Sequence, residues 1–150
     1  MTEKQIDPQL LAERCRDAMH GNDAATHGLG IEFEAVGPGY AKLAMVVQPH
    51  MVNGHLTCHG GYITALADSA FAFACNSRNA ATVASGLSIE FIAPGHKDDR
   101  LVAEAKEVLL KGVTGVYDVT VHNQHGTLIA VMRGKSHHLK GRHVIPPEQL

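Results

Sequence analysis

Hydrophobic residues recur along the chain with two different spacings, and the spacing distinguishes helices from strands. Near the N-terminus, apolar side chains lie at Leu10, Leu11, Cys15, Ala18 and Met19. Positions three or four residues apart form one face of an amphipathic helix. Asp7 and Pro8 offer a capping carboxylate and a first-turn proline, and Gly21 suits a helix end. The pattern predicts a short helix over residues 7–20.

Segments of β character follow this helix, and turn residues separate them. Residues 31–36 and 40–47 flank Gly37-Pro38-Gly39, which predicts a hairpin. Further strands are predicted over residues 82–92, 101–109, 115–121 and 127–136. Asn123-Gln124-His125-Gly126 separates the last two, so we expect them to form a second hairpin.

Between the two sets of strands lies one long apolar segment. Residues 62–75 read YITALADSAFAFAC, a run too long for an ordinary strand and rich in alanine. A loop with the turn-forming residues Pro49, Gly54 and Gly60-Gly61 is predicted over residues 48–61, before this segment. We expect a long helix without a polar face, buried nearly all round.

This order of elements predicts an α+β fold. Strands grouped around one helix, without regular strand–helix alternation, favour an antiparallel sheet wrapped around a central helix. We expect one domain over residues 1–150, with the tail 141–150 extended or frayed. An open sheet has edges that a second copy of the chain would cover, so a homo-oligomer is expected.

Composition narrows the class of partner. Thirteen Lys and Arg against fifteen Asp and Glu give a net charge of −2, which argues against a broad surface for nucleic acid or anionic membrane. Three scattered cysteines do not form a disulfide framework. No apolar signal segment and no membrane-length apolar run occur, so a cytoplasmic protein without a membrane partner is expected.

The strongest candidate chemistry lies at the start of the central helix. Gly60 and Gly61 follow His59, and paired glycines at a helix start leave backbone amides free to hold a developing oxyanion. Asp68 interrupts the apolar segment, and a buried carboxylate is costly unless it is paired or protonated. These residues indicate half of an acyl-transfer site, although Asp68 pinning a neighbouring group is the alternative.

Three other groups of residues offer alternatives. His55, Cys58 and His59 include metal-ligand types, but their spacing matches no zinc pattern, and no metal or cofactor is expected. Cys58 beside His59 is a weak candidate for a nucleophile and its base. A set of basic residues at and beyond the last strand is either a solvated strand end or a phosphate-binding surface; it comprises Arg133, Lys135, His137, His138, Lys140, Arg142 and His143.

Several motifs together resemble the hotdog-fold acyl-CoA thioesterases, and within them those of phenylacetic acid degradation. The motifs are Asn53-Gly54-His55, Cys58-His59-Gly60-Gly61, Leu66-Ala67-Asp68-Ser69-Ala70-Phe71-Ala72, Ala74-Cys75-Asn76-Ser77, Ile89-Glu90-Phe91 with Pro94-Gly95, Thr114-Gly115-Val116-Tyr117-Asp118 and Arg133-Gly134-Lys135-Ser136-His137. The resemblance covers roughly residues 15–140 and implies a hotdog fold, in which a curved antiparallel sheet surrounds the long helix and dimers pair into tetramers.

The resemblance also implies an activity and its residues. The activity is hydrolysis of phenylacetyl or hydroxyphenylacetyl thioesters of coenzyme A. Asp68 matches the catalytic carboxylate, Gly60 the amide that polarises the thioester carbonyl, and Asn53 and His59 the residues that orient water and loop. In this family the amide and carboxylate of one site come from different subunits. Among the expected substrate contacts are Gly61, Thr64, Lys135 and Arg142.

Two other functions remain open at this point. A hotdog dehydratase acting on hydroxyacyl thioesters would use a histidine and an acid facing each other across the acyl channel, and His59 is poorly placed for that. A non-catalytic acyl-CoA binding module would keep the basic residues and have no need of Asp68, because a fold does not fix a function. Release of free thiol from acyl-CoA esters distinguishes these possibilities.

Overall fold

The computed structural model describes residues 5–150. Its helices are α1 (Pro8–His20), α2 (Ala24–Gly28) and α3 (Gly60–Cys75), with short 3-10 turns at Pro49–Met51 and Pro147–Gln149. Its strands are β1 (Glu32–Gly37), β2 (Tyr40–Val46), β3 (Ala80–Phe91), β4 (Arg100–Lys111), β5 (Thr114–His122) and β6 (Leu128–His143).

The six strands form one antiparallel sheet around α3. The strand order is β1-β2-β4-β5-β6-β3, and α3 contacts all six strands. Inward-facing residues of the central strands, such as Leu43, Ala103 and Val119, are buried against the helix. Small alanines on α3 permit this close approach. The predicted α+β class, with an antiparallel sheet wrapped around a long central helix, is therefore confirmed.

Helix α3 is not buried all round, and the sequence-based expectation is wrong on this point. One side of the helix, here called the outer stripe, is only partly covered by the chain; it comprises Gly61, Thr64, Ala65, Asp68 and Ala72. These positions recur three or four residues apart, so they share one face of the helix. Their small or polar side chains indicate a surface that another molecule can contact rather than part of the core.

The outer edges of the sheet differ in their cover. Helix α1 packs against the edge strand β1, whereas β3 is an edge strand paired only with β6. Apolar side chains along β3 are exposed, with Val83 at 47%, Leu87 at 41% and Phe91 at 53%. A long apolar edge strand is a template for pairing with another chain.

Most element predictions agree with the structure, and the differences have physical reasons. The helix expected over 7–20 is α1, with the Asp7 carboxylate accepting the Leu10 amide at 3.0 Å. Both predicted hairpins are present, as β1–β2 and β5–β6. Helix α2 was missed because it is a single turn with no apolar period of its own, held by its Asp23 cap.

The C-terminal tail, expected to be extended or frayed over residues 141–150, is extended over its first residues and anchored beyond them. It is extended only as far as His143, and it then folds over Asn79 into a 3-10 turn. Ile145 is buried, and its amide donates to Asn79 Oδ1 at 2.6 Å while Asn79 Nδ2 donates to its carbonyl at 3.0 Å. Asn79 itself has φ +62°, a left-handed conformation that asparagine tolerates.

Replacing Asn79 with alanine therefore removes both hydrogen bonds to Ile145, together with one from the Cys15 thiol at 3.8 Å, and strains the backbone. We expect Asn79→Ala to lower the free energy of unfolding by about 2 kcal/mol or more, measured by urea denaturation. Asn22→Ala, at an exposed position, is the matched control. An unchanged denaturation midpoint for Asn79→Ala would show that the tail is not anchored there.

Candidate active site

A folded loop before α3 fixes where the helix begins. Val52 and Cys58 form an antiparallel bridge, and the Cys58 amide donates to the Gly95 carbonyl at 2.8 Å. The His59 amide donates to the Met51 carbonyl at 2.7 Å. The segment is thus tied to both neighbouring loops, which positions the first residues of α3.

Asn53 braces this loop from the inside. Its Oδ1 accepts hydrogen bonds from the amides of His55 at 2.9 Å and Thr57 at 3.2 Å, and from the Thr57 hydroxyl at 3.3 Å. An asparagine side chain that binds amides further along the chain stabilises a turn. The structure therefore places Asn53 beside the helix start, with a clear role in holding the loop.

His59 is the N-cap of α3. Its Nδ1 accepts the Gly61 amide at 2.9 Å, and its carbonyl accepts the amides of Tyr62 at 3.0 Å and Ile63 at 3.4 Å. The Gly60 amide has no acceptor within residues 5–150. The expectation that both glycine amides are free is therefore wrong for Gly61. Gly60 supplies the uncommitted donor, at the positive end of the helix dipole.

Different rings cover the two glycines. A Cβ placed on Gly60 would lie 2.9 Å from the Phe91 ring, and one placed on Gly61 would lie 3.0 Å from His59 Nδ1. Contacts this short leave no room for a side chain unless the ring moves. The Gly-Gly pair is thus explained by two close contacts within the chain.

Apolar cavities flank the helix start on both sides. One, of about 440 Å³, is lined by Gly60 and by the largely apolar side chains of Ile63, Phe91, Ile92 and Pro94. The other, of about 510 Å³, lies beside His59, Gly61 and Tyr62. Sequence reasoning did not single out Phe91 as a wall of the site. Its only signal was the motif Ile89-Glu90-Phe91 shortly before Pro94-Gly95.

Asp68 lies on the outer stripe and is half-buried. It makes no hydrogen bond within the described part of the chain, and burial raises the pKa of its carboxyl group above the ordinary aspartate value. Asp68 follows Gly60 by eight positions, which places it about 12 Å further along the helix axis at 1.5 Å per residue. One copy of the chain therefore does not bring this carboxylate and the Gly60 amide onto the same reacting atom, which requires both within about 3 Å.

The remaining candidates are dispersed. The Thr64 hydroxyl donates to the Gly60 carbonyl at 2.8 Å, so it is committed within the helix. Lys135 and Arg142 are both exposed on β6 but lie seven positions apart, about 23 Å along a regular strand. Arg133 binds Asp118 through two hydrogen bonds of 2.7 and 2.9 Å. The basic residues therefore do not form one phosphate-sized cluster.

Neither of the alternatives at Cys58 is supported by the geometry. The Cys58 side chain is buried, and burial together with Asp99 raises the pKa of its thiol to about 11. A protonated thiol is a poor nucleophile. Within residues 5–150, no three or more His, Cys, Asp or Glu side chains gather as a metal site would require.

No helix in the described residues has the length and apolarity needed to cross a membrane.

Comparison with known proteins identifies the family. The family model of the Thioesterase superfamily matches residues 55–130, a range that includes the Gly-Gly pair and Asp68. The acyl-coenzyme A thioesterase PaaI of Escherichia coli (strain K12) is 45% identical over 124 residues, covering 83% of this chain and 89% of that protein.

Solved structures agree with this assignment. The structure of the E. coli PaaI protein from the phenylacetic acid degradation operon superposes with a TM-score of 0.89 at 42% identity, covering 91% of this chain and 99% of that one. A Streptococcus mutans UA159 protein crystallised with acetyl CoA superposes with a TM-score of 0.72 at 25% identity, covering 75% and 90% of the two chains. The chain belongs to the thioesterase superfamily and has its hotdog fold.

Proposed function

We propose that the protein hydrolyses acyl-CoA thioesters, of the phenylacetyl or hydroxyphenylacetyl type, to the free acid and coenzyme A. The observation that carries the proposal is the single uncommitted amide of Gly60, a residue that lines a largely apolar cavity at the start of α3. Such an amide stabilises the negative charge that develops on a thioester carbonyl. The E. coli relative, named as an acyl-CoA thioesterase, and the neighbour bound to acetyl CoA support the same chemistry.

The carboxylate of each site comes from a second copy of the chain in this proposal. The separation of about 12 Å between Asp68 and Gly60 within one helix is too large for shared action on one carbon. The exposed edge strand β3 and the partly covered outer stripe of α3 are the surfaces on which another copy would pack. A homodimer then holds two sites, and two such dimers form the tetramer that the family resemblance implies.

The reaction follows from these two groups. The Gly60 N–H donates to the thioester oxygen and binds it more strongly as it becomes an oxyanion. Asp68 of the other copy either takes a proton from the attacking water or itself attacks the carbonyl to form a mixed anhydride, which water then hydrolyses. In both routes the C–S bond breaks, the sulfur leaves as the thiolate of coenzyme A, and the acyl group leaves as a carboxylate.

A dehydratase requires a different arrangement. It would use an imidazole and an acid facing each other across the acyl channel, whereas His59 Nδ1 is committed to the Gly61 amide and only its Nε2 could exchange a proton. A panel of acyl-CoA esters assayed for free thiol tests the proposal: thiol release supports hydrolysis, and binding without turnover supports a binding module. The cytoplasmic location stays a prediction.

Asp68→Asn keeps the shape of the side chain and removes the base or nucleophile. We expect kcat for phenylacetyl-CoA to fall by on the order of 100-fold or more, with the oligomer intact. Asp98→Asn, which changes an exposed carboxylate, is the control. If Asp68→Asn keeps more than about a tenth of the wild-type rate, the carboxylate is structural.

The Asp68 carboxylate should also determine how stability and activity depend on pH. Because burial raises the pKa of Asp68, the folded protein binds this proton more tightly than the unfolded chain does. Its ionised form at neutral pH therefore costs stability, so Asp68→Asn should raise the melting temperature slightly. Activity, which needs the carboxylate, should fall with decreasing pH at values above those of an ordinary aspartate. A pH–rate profile without this acid limb would contradict the assignment.

Lys135 and Arg142 are expected to bind the nucleotide end of coenzyme A. Because this binding contributes equally to the ground and transition states, Lys135→Ala or Arg142→Ala should raise KM for CoA esters and leave kcat nearly unchanged. Lys97→Ala, at an exposed loop position, is the matched control, and short thioesters without the nucleotide should be unaffected. If neither variant changes KM, these residues are only surface charge.

A further inference from the structure

We propose that His59 acts as a positioning residue, and that its ring selects the Gly60 amide as the single donor offered to substrate. This inference rests on the proposed function, since it concerns the same helix start. It assigns His59 a task that needs a hydrogen-bond acceptor and no proton transfer. The family resemblance alone gave His59 only a general part in orienting water and loop.

The contact between the His59 ring and Gly61 supports this role. His59 Nδ1 accepts the Gly61 amide at 2.9 Å, so this nitrogen carries no proton and the ring proton lies on Nε2. The same ring lies directly over Gly61, where a Cβ would come within 3.0 Å of Nδ1 and 3.2 Å of Cε1. The ring thus accepts the hydrogen bond of the Gly61 amide, the second in the helix, and covers the backbone at Gly61.

The consequence for the neighbouring amide is geometric. The His59 carbonyl accepts the amides of Tyr62 and Ile63, and its side chain accepts that of Gly61. The first turn of α3 is therefore closed at every amide except Gly60, whose direction is fixed by the turn. A fixed donor stabilises an oxyanion without reorganising during the reaction, which is the advantage of a preorganised site.

Histidine is an unusual cap, and this makes the proposal testable. Asparagine, serine and aspartate are the side chains that most often accept amides at this position. If the ring serves only as an acceptor, asparagine should replace it. If Nε2 instead contacts substrate or water, beside His50 and Tyr62 in the second cavity, asparagine should fail.

The experiment compares three substitutions in the full-length protein, His59→Asn, His59→Ala and His59→Phe. We expect kcat to fall about tenfold or more in the alanine and phenylalanine variants, which lack the acceptor, with KM changed far less. His59→Asn should retain kcat within about threefold of wild type, because it restores the cap. An asparagine variant as slow as the alanine variant, or an alanine variant as fast as wild type, would overturn the inference.

Hydrogen exchange at Gly61 gives a readout that does not depend on turnover. Its amide should be protected in wild type and in His59→Asn, and should lose protection in His59→Ala while the helix persists. Equal protection of the Gly61 amide in all variants would show that the His59 side chain does not cap the helix. If wild type protects Gly61 but cleaves no CoA ester, the proposed function fails while the cap stands, so the two failures are distinguishable.

Discussion

The hydrogen bond between the Gly61 amide and His59 Nδ1 is the interaction on which the arrangement of the site depends. It ends the loop braced by Asn53 and begins α3 at Gly60. Burial of Leu66, Ala67 and Ala70 against the sheet sets the rotation of α3, which leaves Asp68 on the outer stripe. The cap therefore determines which amide is free, and the buried face of α3 determines which way the carboxylate faces.

The fixed rise of the helix imposes the second constraint. Eight residues of α-helix separate the donor from the carboxylate by about 12 Å, and packing against all six strands keeps α3 from bending to shorten this. In the proposed mechanism one copy of the chain cannot supply both groups to one substrate, so the carboxylate comes from a second copy. The exposed edge β3 and the small side chains of the outer stripe are the features that a second copy would use.

The sequence predicted most of the fold because its signals were local. The helix cap at Asp7, the glycine-flanked hairpin turn and the alanine-rich α3 each follow from spacing and residue type. The tail was mispredicted because its anchor is a contact between Asn79 and Ile145, which are distant in sequence. The spacing of hydrophobic residues along the chain cannot predict a contact between residues so far apart.

The candidate site divides in the same way. Gly60 and Asp68 were recognisable, since paired glycines at a helix start and a lone carboxylate on an apolar helix are both visible in sequence. The loss of the Gly61 amide to His59, and the Phe91 ring over Gly60, depend on side-chain directions that sequence does not report. The basic residues formed a group in sequence, yet an extended strand separates them.

Subunit complementation tests the proposal that two copies of the chain build each site. Gly60→Pro removes the donor amide at the first position of α3, which accepts proline once the Phe91 ring shifts to make room for it, and Asp68→Asn removes the carboxylate. Each variant alone should be nearly inactive. Co-expressed in equal amounts with random pairing, half of the dimers are mixed and each holds one intact site, so about one quarter of wild-type activity should return. Activity that stays at the level of the separate variants would contradict a site shared between two copies of the chain.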